Sequence, residues 1–102
     1  MEAAETLQLE SIWIDGDELP LIGGLLILNA TYVEDPRQPK GWALDATVDG
    51  RHIYSDGQDV KLRLLVSDGR DLEAAGWVYR CEDASAVTTL LISGGGHVSG
   101  LA

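Results

Sequence analysis

The chain of 102 residues has room for one domain, is 45% hydrophobic and carries a formal net charge of −10. That hydrophobic share is ordinary for a globular domain and argues against disorder along the whole length. The charge argues against nucleic acid and anionic membrane as partners, because both demand clustered Lys and Arg.

The acidity is concentrated. Positions 1–36 hold eight acidic residues and no Lys or Arg, whereas the rest holds nine acidic and seven basic residues. A region so lopsided favours a basic protein surface as its counterpart, the plainer role of such charge being solubility. Cys81 is the single cysteine, so neither an internal disulfide nor a structural zinc site braces the fold. A free thiol fits a reducing compartment. The longest apolar run, Leu25-Leu26-Ile27-Leu28, is far short of the ~20 residues of a helical membrane span. Met1-Glu2-Ala3-Ala4-Glu5 is acidic where an export signal is basic. The expected location is therefore cytoplasmic, or the virion if the chain is viral.

The first predicted strand covers Leu7–Ile14. Its apolar face switches between Leu9 and Ile12, which predicts either a bulge near Ser11 or burial on both sides. Asp15-Gly16 follows, the first of four Asp-Gly turns, with Asp49-Gly50, Asp56-Gly57 and Asp68-Gly69. Asp-Gly suits the positive φ of tight turns and is a strong short-range hairpin signal. A second strand is predicted over Leu21–Val33, with Gly23-Gly24 marking a bend or a close backbone approach. Arg37 to Gly41, flanked by Pro36 and Pro39, reads as a loop.

Trp42, Leu44, Ala46 and Val48 alternate with more polar neighbours, the period of a half-buried strand. A two-residue Asp49-Gly50 loop would pair Val48 with Arg51, Ala46 with Ile53 and Leu44 with Ser55. It would also set His52 and Tyr54 beside Thr47 and Asp45. Val60, Leu62, Leu64 and Val66 form the next apolar face. A three-residue loop, Asp68-Gly69-Arg70, pairs Val66 with Leu72 and Leu64 with Ala74, keeping apolar residues opposed. The competing local structure for Asp71–Ala75 is one helical turn ended by Gly76. A last strand is predicted over Ala86–Ser93. Six or seven strands without a helix to cover a face must close or form two layers. The expected fold is a small antiparallel β-barrel, with a β-sandwich as alternative. It forms a single domain over 1–102, with possible extended arms at 1–6 and 94–102.

The chemistry-bearing motifs fail on inspection. Asp15-Gly16-Asp17-Glu18 begins like a calcium loop, but Leu19 and Pro20 stand where ligands belong. Ser93-Gly94-Gly95-Gly96-His97 lacks a phosphate-loop lysine and a following helix, and Gly96-His97-Val98-Ser99-Gly100 puts its serine one place late for a nucleophile elbow. Cys81, His52 and His97 show no ligand spacing and no local nucleophile–base pairing. No catalytic, cofactor or metal residue is therefore assigned, and the chain is read as non-enzymatic. Trp77 and Tyr79 share one strand face, with Ala75 and Cys81 alongside. Exposed rings of this kind anchor protein interfaces or stack on sugars, and buried ones fill a core. The predicted partner-binding residues are Glu10, Asp15, Asp17, Glu18, Trp77 and Tyr79. The expected role is a structural or accessory subunit of a protein assembly, homo- or hetero-oligomeric, with a small virion component as one instance. Contact by strand addition at an open sheet edge is the expected mode. An acidic inhibitor of a basic enzyme site and a carbohydrate- or peptide-binding module are the alternatives.

Overall fold

A computed structural model describes residues 5–30, 41–94 and 98–100. It is an all-β fold, a closed six-stranded antiparallel barrel with one extra strand. The strands are β1 (Glu5–Ile14), β2 (Asp17–Leu19), β3 (Leu21–Ala30), β4 (Gly41–Asp49), β5 (Asp59–Val66), β6 (Asp71–Ala84) and β7 (Val87–Gly94). Their order is β2-β1-β3-β4-β7-β6-β5, and β5 pairs back onto β1 to close the barrel. The three-residue β2 is the extra strand and, among the described strands, pairs with β1 alone.

Alternation decides what fills the barrel. Trp42, Leu44, Ala46 and Val48 on β4, and Val60, Leu62, Leu64 and Val66 on β5, all point inward and are buried. Ile12, Ile14, Leu26, Leu72, Val78, Leu90 and Ile92 complete the same core. β1 serves two partners and needs the predicted irregularity: its register against β5 shifts between Leu9 and Ser11. β3 bends as its glycines suggest, with a register shift against β4 between Leu21 and Gly23. Of the predicted second strand, the part beyond Ala30 lies outside the described residues, as does the predicted loop apart from Gly41, which starts β4.

Two local expectations are corrected. Asp49-Gly50 does not close a hairpin. Both edges of β4 are taken, one by the preceding strand β3 and the other by the distant β7, with Val48 opposite Thr88, Ala46 opposite Leu90 and Leu44 opposite Ile92. Those β7 residues are fully buried, whereas the local alternative offered Arg51, Ile53 and Ser55, and Ile53 stays 74% exposed. Burial of more apolar surface outweighs the shorter loop closure. Residues 50–58 instead run past β7 and β6 towards β5. Thr88 Oγ1 donates to the Gly50 carbonyl and accepts from the His52 amide, and the Cys81 thiol donates to the His52 carbonyl. Asp45 therefore faces Leu25 and Leu91, not Tyr54.

The β5–β6 hairpin is real, but its loop is Ser67-Asp68-Gly69. Leu64 pairs with Leu72 and Leu62 with Ala74, two residues from the predicted register. A slip of two preserves every face, which is why alternation alone did not settle it. Gly69 adopts φ 95° and the Gly69 amide donates to the Val66 carbonyl, so the left-handed glycine is the last residue of the loop and not its middle one. Finally, β6 and β7 are joined by Ser85-Ala86 with φ of 54° and 65°, a tight turn made without glycine. Asp71–Ala75 is strand, not a helical turn.

The termini adhere where they are described. Glu5 and Thr6 belong to β1, Gly94 ends β7, and Val98 is 4% exposed within the core cluster. Ser99 exchanges two backbone hydrogen bonds with Glu73, at 2.8 and 3.1 Å.

Candidate partner-binding groove

The β5–β6 register sets three rows of outward side chains. Asp59 lies opposite Trp77, Lys61 opposite Ala75 and Arg63 opposite Glu73. On the other flank of β5, Trp13 of β1 lies opposite Arg63. Because alternate residues share a face, these rows form one continuous outer surface. It contains two clefts that meet at Lys61 and Ala75.

The first cleft, about 390 Å³, is lined by Asp15, Asp59, Val60, Lys61, Ala75, Gly76, Trp77 and Gly94. The Asp15-Gly16 turn delivers Asp15 to its lip. Asp15 continues the β1 ladder beyond the strand end: the Asp15 amide donates to the Lys61 carbonyl at 2.8 Å, and the Lys61 amide donates to Asp15 Oδ1 at 2.9 Å. Gly76 and Gly94 also border the cleft, and behind them stands the indole of Trp42. A Cβ at Gly76 would sit 2.6 Å from that ring, and one at Gly94 2.5 Å from it. The Trp42 Nε1 donor is buried and has no acceptor among the described residues.

The second cleft, about 620 Å³, is lined by Trp13, Gly16, Lys61, Leu62, Arg63, Glu73, Ala74, Ala75 and Ser99. The Arg63 guanidinium lies 4.7 Å from the Trp13 ring centroid, a cation–π contact. Asp71 holds the same guanidinium through two nitrogens, at 2.7 Å for the shortest bond. This pairing keeps the Asp71 carboxyl below its ordinary range and raises Arg63. Arg63 is thereby neutralised in place. Asp59, Glu73 and Lys61 have no side-chain ion pair among the described residues.

The predicted contact residues divide among three places. Asp15 and Trp77 meet in the first cleft. Glu10 and Glu18 meet elsewhere, in a groove of about 470 Å³ with Ser11, Leu19, Pro20 and Leu21. Asp17 is exposed at the start of β2. Tyr79 is half-buried at a bulge between Val78 and Arg80, its ring edge-on to Trp77 with centroids 6.1 Å apart. That bulge reverses the alternation, so Cys81 packs against the core and not beside Trp77 as expected. Trp13, Asp59, Lys61 and Glu73 are groove residues the sequence reading missed. The signal was the hairpin register: the predicted one sets Trp77 opposite Lys61, so Asp59 drops out of view.

Tyr54 packs at the core's margin where residues 50–58 cross. Burial raises its pKa, and the carboxylates of Asp15 and Asp17 add to the effect. No group of three or more His, Cys, Asp or Glu side chains suited to a metal occurs among the described residues. No helix of the described residues is long and apolar enough to cross a membrane. Compared with protein families, curated proteins and solved structures, the chain matches none.

Proposed function

We propose that this chain is a non-catalytic accessory subunit of a protein assembly that holds a basic partner in the groove across β5 and β6. The observation that carries this reading is the meeting of Asp15 and Trp77, 62 positions apart in sequence, in one cleft with Asp59. A half-buried tryptophan lining the cleft supplies apolar contact and a face for a cation, and adjacent carboxylates supply the charge. The net charge of −10 adds long-range attraction for such a partner. Contact through a face also replaces the strand addition expected from the sequence. A closed barrel leaves little edge, and β2 is only three residues long, carries Asp17 and Glu18, and is followed by Pro20.

The test is titration with an octalysine peptide, followed by amide and indole N–H shifts in NMR. The expected result is a set of shifts centred on Asp15, Asp59 and Trp77 that fades as salt rises. Shifts centred on the Glu10–Glu18 groove, or spread evenly over the acidic surface, would overturn the reading.

A further inference from the structure

The register of the groove carries more than a general preference for basic partners. Along β6, Glu73, Ala75 and Trp77 face outward at alternate positions, and β5 sets Arg63, Lys61 and Asp59 opposite them. Arg63 is occupied by Asp71 and by the Trp13 ring. The charges left open along the groove are therefore acidic at the Asp59–Trp77 row, basic at the Lys61–Ala75 row and acidic at the Glu73 row. Asp15 reinforces the first row, since it lines the same cleft. Ala75 at the middle row leaves room above the sheet between the two tryptophan-bearing ends.

Resting on the reading above, we infer that the groove takes an extended peptide segment of the partner with alternate charges, basic–acidic–basic, at positions i, i+2 and i+4. The match is geometric. Rows two residues apart on a strand are about 6–7 Å apart, and so are alternate side chains of an extended peptide. Glu73 and Trp77 are four residues apart on β6, about 13 Å, the span of i to i+4 on such a peptide. The first basic side chain lies over the Trp77 ring between Asp15 and Asp59. The central acidic side chain meets Lys61, and the second basic side chain meets Glu73. A uniformly basic segment is penalised at its centre by Lys61, so the groove selects a charge pattern as well as a charge sign. The peptide lies on the face of the barrel and uses no strand edge.

Two serine-spaced peptides with Gly-Ser flanks test this. Both carry arginine at the outer two positions, one with glutamate and the other with arginine between them. Binding is read at low salt by the Trp77 indole N–H shift. The glutamate-centred peptide is expected to bind the wild-type chain about two- to fivefold more tightly, the range of one exposed ion pair. In Lys61→Glu the order should reverse. The backbone bonds between Lys61 and Asp15 involve only the main chain of Lys61, so that variant keeps its fold. The same ranking in both proteins, or tighter wild-type binding of the arginine-centred peptide, overturns the pattern while a basic partner in the groove stands. Loss of a groove-centred response to both peptides and to octalysine overturns both readings together.

Discussion

Gly94→Ala should be among the most damaging single-methyl additions this barrel can suffer. An added Cβ would lie 2.5 Å from Cζ2, 2.6 Å from Cε2 and 2.8 Å from Nε1 of Trp42. Carbon atoms rest at about 3.5–4.0 Å, so ring or strand must yield by about 1 Å. The ring has nowhere to go. Trp42 is 1% exposed, and its far edge is confined by Gly76, where a Cβ would be 2.6 Å from Cη2. Overpacking of this kind costs about 1–3 kcal/mol. For a domain of this size the melting temperature should fall by roughly 5–20 °C, at about 4–8 °C per kcal/mol. Urea unfolding followed by circular dichroism should show a lower midpoint at unchanged slope. The cause is isolated by repeating the substitution in a Trp42→Phe background, which removes most of the clashing atoms together with the buried indole donor. There Gly94→Ala should cost at least about 1 kcal/mol less, a coupling within the range for residues in contact. Equal losses in the two backgrounds, or a melting temperature within about 2 °C of wild type for Gly94→Ala alone, would refute the packing argument.

The Ser85-Ala86 turn holds two L-residues at positive φ, so the double substitution Ser85→Asn, Ala86→Gly should raise stability by about 1 kcal/mol, measured by urea unfolding. A loss would mean that the side chains of Ser85 and Ala86 do something the turn geometry does not reveal. Tyr54 has a raised pKa, so the folded state keeps the phenolic proton at a pH where the unfolded chain has lost it. That contribution is intact below about pH 10 and fades as pH climbs through the folded value, so wild-type melting temperature should drop more steeply than that of Tyr54→Phe above pH 10. Parallel curves would count against a buried hydroxyl. Asp71 shows the opposite sign: Arg63 depresses its pKa, so its contribution is present at neutral pH and lost as pH falls below the ordinary carboxylate range. Arg63→Met should flatten that part of the acid denaturation curve, with an effect that vanishes in high salt, as both side chains are exposed.

Local signals in this chain were legible where one strand was enough to read them. The inward sets on β4 and β5, the bulge beside Ser11 and the bend at Gly23-Gly24 all follow from alternation and glycine placement. What alternation cannot give is the partner. Val48 has an apolar face whether it meets Arg51 across a two-residue loop or Thr88 across 39 intervening positions, and the second solution wins because β7 brings Leu90 and Ile92 with it. Asp-Gly likewise marks positive φ correctly at Gly16, Gly50, Gly57 and Gly69, yet Gly50 closes no hairpin. The groove inherited these errors. Asp15 and Trp77 were identifiable singly, as an acid in a turn and an outward ring, whereas Asp59 and Glu73 became visible only with the register two residues away.

The division of the acidic residues between two grooves separates attraction from recognition. Glu10 and Glu18 sit apart from the Asp15–Trp77 cleft, and neither lines it. They contribute to the field that a basic partner meets at a distance, and that field acts on the rate of encounter. Asp59 and Trp77 touch the bound segment in the proposed complex, so they govern how long it stays. Glu10→Gln combined with Glu18→Gln should therefore slow association at low salt and leave dissociation nearly unchanged. Trp77→Ala should accelerate dissociation at every ionic strength. Stopped-flow measurements with the glutamate-centred peptide distinguish the two effects. If removing Glu10 and Glu18 shortened the lifetime of the complex as much as removing Trp77, the partner would have to lie across both grooves, and the β5–β6 face would not be the whole of the recognition surface.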